Sequence, residues 1–268
     1  GSAGITPTDV TAVSFAVMNS SPVVAFATND ENFRTASVMR LTPGATLSSI
    51  DRVGAEKTNG VAGLSYTVAF SGAVDGVTAD DFTVLKGDGV TGTPTITISI
   101  GTDGSSSYTV LVTGLSGEGP VALNFSGHGT GIVTHGTTVA VADSGSAGAA
   151  YALDTVAPTV TNVTASTSNG TYKAGNTISI QVTFSEAVVV TGTPRLTLNS
   201  ATGGRVVNYA SGSGTTTLTF TYTVQAGDLA ADLDFANTTA LSLNGGSIKD
   251  GAGNNATLTL PAAGATQT

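Results

Sequence analysis

Leu64, Tyr66, Val68 and Phe70 alternate along the chain with Ser65, Thr67, Ala69 and Ser71. Side chains of a strand point alternately to its two faces, so this period of two predicts a half-buried β-strand. The same plan returns 114 positions later, where Ile178, Ile180, Val182 and Phe184 alternate with Ser179, Gln181, Thr183 and Ser185. Ala73-Val74 follows the first run and Ala187-Val188 the second.

Further matches keep the same order. Thr91-Gly92-Thr93-Pro94 leads into Ile96, Ile98 and Ile100, and Thr191-Gly192-Thr193-Pro194 leads into Leu196 and Leu198. Tyr108, Val110 and Val112 correspond to Leu218, Phe220 and Tyr222; Leu123-Asn124-Phe125 corresponds to Leu233-Asp234-Phe235; Ile132 matches Ile248. Ordered matches with small changes of offset predict one strand plan used twice, with length differences confined to loops. Gly, Ser, Asn and Asp clusters separate the runs, which predicts a sandwich of about seven strands per copy, apolar faces inward and Thr/Ser faces in water.

The division follows from these matches. Residues 46–153 form the first predicted domain and 154–268 the second, joined through Tyr151 to Val160, where Pro158 stiffens the link. Residues 1–45 match neither copy. Gly1-Ser2-Ala3-Gly4 reads as a cloning scar, and Val10 to Met18, Pro22 to Thr28 and Thr35 to Leu41 read as strands, with Asn29-Asp30-Glu31-Asn32 as a turn. Two readings are open for them: strands added to the first sandwich, or the end of a preceding module.

Composition narrows the function. The chain has 268 residues, of which 35 are Gly and 10% are charged, so helix-forming stretches have little material to draw on. A net charge of −9 repels a phosphate backbone, which excludes nucleic acid as an expected partner. Cysteine is absent, so each core rests on packing without disulfides or thiolate ligands. No run of about 18 apolar residues and no signal peptide is present, so the chain reads as an interior segment of a longer, exported parent, with no membrane insertion of its own.

Tyr172-Lys173-Ala174-Gly175-Asn176-Thr177-Ile178, Val182-Thr183-Phe184-Ser185-Glu186-Ala187-Val188, the Thr-Gly-Thr-Pro turn and Ile248-Lys249-Asp250-Gly251-Ala252-Gly253-Asn254 form a set, together with Asp154-Thr155-Val156-Ala157-Pro158. This set resembles the immunoglobulin-like repeats of large secreted bacterial surface adhesins. Ile50 to Lys57 and Ala79-Asp80-Asp81-Phe82 resemble a sister repeat type. The resemblance implies tandem immunoglobulin-like, Greek-key β-sandwiches, an extracellular location at the bacterial surface, neighbouring repeats of the same parent as partners, and calcium stiffening of the chain. It also implies structural or adhesive work towards a host or surface glycan or protein.

An immunoglobulin-type sandwich brings its N-terminus, B–C loop and F–G loop to one end. In the second copy that end would carry Asp154, Glu186, Asp250 and Asn254, with Asn255 beside them. Calcium takes six to eight oxygens, which carboxylates, Asn side chains and loop carbonyls can supply. The plainer alternative is that Asp250 and Asn254 form Asx turns and Glu186 is a solvated loop charge. In the first copy Gly72 stands where Glu186 does and Thr134 where Asp250 does, so no equivalent site is expected there. The clusters Asp75/Asp80/Asp81 and Asp228/Asp232/Asp234 read as loop charges and turn starts.

No catalytic residue is predicted. His128 and His135 are seven apart and would face opposite sides of a strand. No His-Glu-x-x-His, Gly-x-Ser-x-Gly or phosphate-loop sequence occurs. Lys57, Lys86, Lys173 and Lys249 fall mostly in predicted turns, which argues against a buried lysine poised for a Lys–Asn cross-link. The second functional reading is a carbohydrate- or protein-binding recognition module of a surface protein or secreted enzyme, disfavoured by the absence of Trp for sugar stacking.

Overall fold

The computed structural model of the protein describes residues 10–18, 21–28, 36–40, 44–126, 131–141, 146–200 and 203–262, with side chains from residue 44 onward. Among these the chain is all-β apart from one 3-10 turn at Ala79–Asp81, and no helix is long and apolar enough to cross a membrane. Strands β1 (Val10–Met18), β2 (Ser21–Thr28) and β3 (Ala36–Arg40) form an antiparallel sheet of their own, in the order β1-β2-β3. The turn expected at Asn29 to Asn32 lies outside the described residues, as does His128.

The first core is enclosed by two sheets. One joins β4 (Leu47–Arg52), β6 (Leu64–Asp75), β10 (Ser105–Thr113) and β9 (Thr95–Ile100), with β12 (Val133–Thr134) on the far end of β6. The other joins β5 (Lys57–Thr58), β13 (Tyr151–Asp154), β11 (Ser116–Phe125) and β7 (Phe82–Lys86), with β8 (Val90–Thr91) also on β11. The alternation read from the sequence holds: Leu64, Tyr66, Val68 and Phe70 are buried, and the intervening residues are not. They meet Phe82, Val121, Leu123, Phe125, Tyr151 and Leu153 of the opposite sheet in one cluster.

Two tyrosines bind the layers together. The Tyr66 hydroxyl donates to the carbonyl of Val121 at 2.9 Å, and its ring meets that of Tyr151 edge-on at 5.3 Å. Tyr151 in turn donates to the carbonyls of Val53 and Ser65. A buried phenol needs such a partner, because an unpaired hydroxyl in the core costs about 1–3 kcal/mol.

The second core is built from β14 (Val160–Ala165), β15 (Thr177–Thr191), β16 (Arg195–Leu198), β17 (Arg205–Ser211), β18 (Thr215–Thr223), β19 (Leu241–Ser242) and β20 (Ser247–Lys249). Their order is β14-β15-β18-β17-β16-β19, with β20 pairing the last residues of β15. Ile180, Val182, Phe184, Leu196, Leu198, Leu218, Phe220 and Ile248 are among its buried side chains. Several sheets around two apolar cores agree with a β-sandwich build.

One sequence correspondence does not survive. The two strands that follow Thr-Gly-Thr-Pro occupy different places: β9 pairs directly with β10, whereas β16 pairs with β17 and β19, and β17 is the strand beside β18. By its partners β16 answers to β7, for Leu198 bridges to Phe235 much as Phe82 pairs with Phe125. The motif marks a turn, with Gly92 and Gly192 both at positive φ, and turn chemistry is indifferent to which strand comes next.

The connector between the cores is also shorter than the sequence suggests. Tyr151 and Leu153 are buried core residues of β13, and Asp154 is that strand's last residue, so only residues 155–159 remain before β14.

Candidate metal centre at the junction

Three elements deliver one carboxylate each to the junction between the cores. Asp154 closes β13, Glu186 lies within β15, and Asp250 follows β20. One oxygen from each of the three lies within 4.8 Å of the others. Asp154 and Asp250 are 3% and 4% exposed, which places two carboxylates out of bulk water where charge must be balanced.

The position of Glu186 follows from strand parity and a fault in the ladder. It shares the even-numbered, inward register of Phe184 and Val188, both of which are buried. The pairing of β15 with β18 shifts register between Thr183 and Val188, and beyond this point β15 pairs with β20 instead. Such irregularities bend a strand and re-aim its side chains, and here they turn an inward position towards the end of the unit. At the matching place in the first core stands Gly72, where a Cβ would lie 3.9 Å from that of Ala45.

Asp250 organises its own loop. Its Oδ1 accepts from the backbone N–H groups of Ala252, Gly253 and Asn254 at 2.7 to 2.9 Å, and Gly253 takes positive φ to close the turn. This is the Asx-type turn anticipated for Asp250, and it coexists with the clustering. Asn254 then ties the loop to the connector. Its Nδ2 donates to the carbonyl of Asp154 at 2.8 Å, to that of Val156 at 3.3 Å and to Asp250 Oδ2 at 2.7 Å. An amide nitrogen is no ligand for a hard cation, so from this side chain only Oδ1 could be offered to one.

Asp154 is fixed from both sides. Its Oδ1 accepts from the Val156 N–H at 3.1 Å, and the next residue, Thr155, exchanges two hydrogen bonds with Gly117. Gly117 has φ of +95°, and a Cβ there would stand 2.1 Å from the Gly89 carbonyl, so only glycine lets β11 pass this close to the chain at Gly89.

Lys57 is the residue that sequence reasoning misplaced. Read as a turn lysine, it instead lies on β5, pairing in parallel with Ala152 of β13, and its Nζ lies 3.1 Å from Asp154 Oδ2. No local signal marks it, since β5 is two residues long and its partner strand is almost 100 positions away. The hydrogen bond to Asp154, and then the charges of Asp154, Asp250 and Glu186, hold its ammonium above the usual lysine range against the opposing effect of burial. Glu186 is pushed above the usual carboxyl range, first by burial and then by the charges of Asp154 and Asp250, with Lys57 acting in the opposite sense. Two like charges at such a separation repel by on the order of 3 kcal/mol at an effective dielectric of about 20. One ammonium against three carboxylates leaves the cluster net negative.

Four other carboxylates are engaged within their own units. Asp75 accepts from His135 and Asp81 caps the turn at Thr78. Asp228 accepts from Arg205 at 2.7 Å and from Tyr222 at 2.5 Å, and Asp234 accepts from the Phe235 N–H. Asp228 and Asp234 border a cleft of about 490 Å³ in the second core, which Tyr172, Tyr222 and Ser200 also line. Compared with known protein families, curated proteins and solved structures, the chain matches none.

Proposed function

We propose that this chain is a structural, adhesive spacer of a bacterial surface protein: two immunoglobulin-like sandwiches in tandem, acting outside the cell, with calcium bound where they meet. The carrying observation is the convergence of Asp154, Glu186 and Asp250, two of them buried, on the short connector. The donor set is oxygen throughout, which favours a hard cation and suits the six to eight oxygens that calcium accepts. An ion held there would bond at once to the last strand of the first core and to two elements of the second, and so restrict their relative motion.

The immunoglobulin-like reading draws on strand order. In the first core the sheet holding β4, β6, β10 and β9 shares its apolar cluster with the sheet holding β5, β13, β11 and β7, and most connections, all but β7–β8 and β9–β10, cross between the two, as in a Greek-key sandwich. The second core repeats the first core's pairing of its first, second and fifth strands longer than three residues, with β14-β15-β18 standing where β4-β6-β10 stand in the first. No catalytic role is assigned to any residue.

Calorimetric melting of the whole chain in millimolar calcium and then in chelator tests the reading. Binding to the native state alone must raise the melting temperature. Identical melts in both buffers would overturn it.

A recognition module is the second reading, and the cleft beside Tyr172 and Tyr222 is what favours it. Glycan-array binding that is lost on Tyr172→Ala would support that reading over a spacer.

A further inference from the structure

The acidic cluster already contains a cation, and it belongs to the protein. Lys57 reaches the cluster from the first core, and among the described residues it is the only basic side chain in ion-pair contact with any of the three carboxylates. Its backbone is anchored by the parallel pairing of Lys57 and Thr58 with Ala152 and Leu153, and by the Ala152 N–H donating to the backbone carbonyl of Glu56 at 2.9 Å. Two residues on, the Asn59 N–H donates to the carbonyl of Ala252, inside the loop that Asp250 organises. The lysine stem passes beside Gly251, where an added Cβ would stand in ordinary contact with it, 3.6 Å from Cδ. The ammonium is thus presented to the cluster by a fixed strand, on the first core's side of the junction.

The ammonium and a divalent ion cannot share this place. A calcium bonded to Asp154 would lie about 2.3 to 2.6 Å from its oxygen. The ammonium hydrogen-bonds Asp154 Oδ2, so the two positive centres would stand only a few ångströms apart. Lys57 has an exit, because its side chain is 46% exposed and its four-carbon stem can swing into water while the strand stays paired. Glu186, Asp250 and Glu118, which pairs with Asp154 across β11 and β13, are the other charged groups around the exchange.

We propose that Lys57 is a tethered competitor for the junction cation: ammonium and divalent ion alternate on Asp154, and Lys57 sets the ion concentration at which the junction changes hands. Resting on the cation reading above, this adds its regulation. With little calcium, Lys57 holds Asp154 through their ion pair. With enough calcium, the ion replaces it and the lysine is released to solvent. A lysine-free cluster would bind the ion more tightly and lack a partner in its absence.

The test compares the full wild-type chain with Lys57→Met, which keeps the stem and removes the charge. Calcium titrations by calorimetry are expected to give a dissociation constant lower by roughly tenfold or more in the variant. Equal constants in the two proteins overturn the competitor while leaving the cation reading intact. Binding by neither, up to about 10 mM calcium, overturns both. A second measurement needs no variant: the rate at which an amine-acylating reagent modifies Lys57, read by peptide mass spectrometry. The rate should rise with calcium as the ammonium is released, and it should not rise with equal ionic strength of sodium chloride. A rate unchanged by calcium in a chain that binds it overturns the proposal.

Discussion

The side-chain amide of Asn254 donates to the backbone carbonyl of Asp154 at 2.8 Å, across 100 residues of chain. The bond joins the last loop of the second core to the strand that completes the first. Because the same nitrogen also reaches Asp250 Oδ2 and the Val156 carbonyl, one amide holds the connector, the loop and a cluster carboxylate together.

Asn254→Ala is therefore expected to destabilise the second unit by about 1–3 kcal/mol, the usual cost of leaving buried polar partners unpaired. Denaturant melts should show it, and any calcium-induced rise in melting temperature should shrink in the same variant.

Glu186→Gln should act in opposite directions in the two buffers. Without calcium it removes a carboxylate that Asp154 and Asp250 repel, so the melting temperature should rise. With calcium it removes a ligand, so the rise produced by the ion should be reduced or lost. A variant that melts like the wild type in both buffers would separate Glu186 from the cluster.

Acid should weaken the second unit through Asp228. The hydrogen bond from Tyr222 first, and those from the Gln225 N–H and Arg205 next, hold its carboxyl below the usual carboxylate range against the opposing effect of burial. A depressed native value gives stability that is complete above the ordinary carboxylate pKa and is lost as pH falls from there through the lowered one. Asp228→Asn should flatten that part of the pH–stability curve, as followed by circular dichroism melts between neutral and strongly acidic pH.

The two cores should answer separately to core mutations. Phe220→Ala opens the second cluster, where Phe220 is fully buried, at about 3–5 kcal/mol. Tyr66→Phe removes the hydroxyl's bond to the Val121 carbonyl in the first, at about 0.5–1.5 kcal/mol. Hydrogen exchange should locate the first loss of protection in β18 and the second in β11, each confined mainly to its own core.

The alternation of Leu64 to Phe70 and of Ile178 to Phe184 determined by itself which strands form and which faces they bury, because a period of two has one inward set. Asp154, Glu186, Asp250 and Asn254 could be named together from short motifs, although Asp154 and Glu186 prove to lie in strands β13 and β15 and not in loops. What the linear pattern leaves open is long-range pairing. Thr-Gly-Thr-Pro precedes strands in different places because a turn fixes the chain's direction locally and says nothing of the next partner. Lys57 is invisible as a site residue for the same reason: its place depends on two residues pairing with Ala152 and Leu153, and a two-residue strand has no period to read. Glu186 sits between the cases. Its inward parity is written in the sequence, but the break in the β15 ladder that turns it to the junction is a matter of how β18 and β20 divide that strand between them.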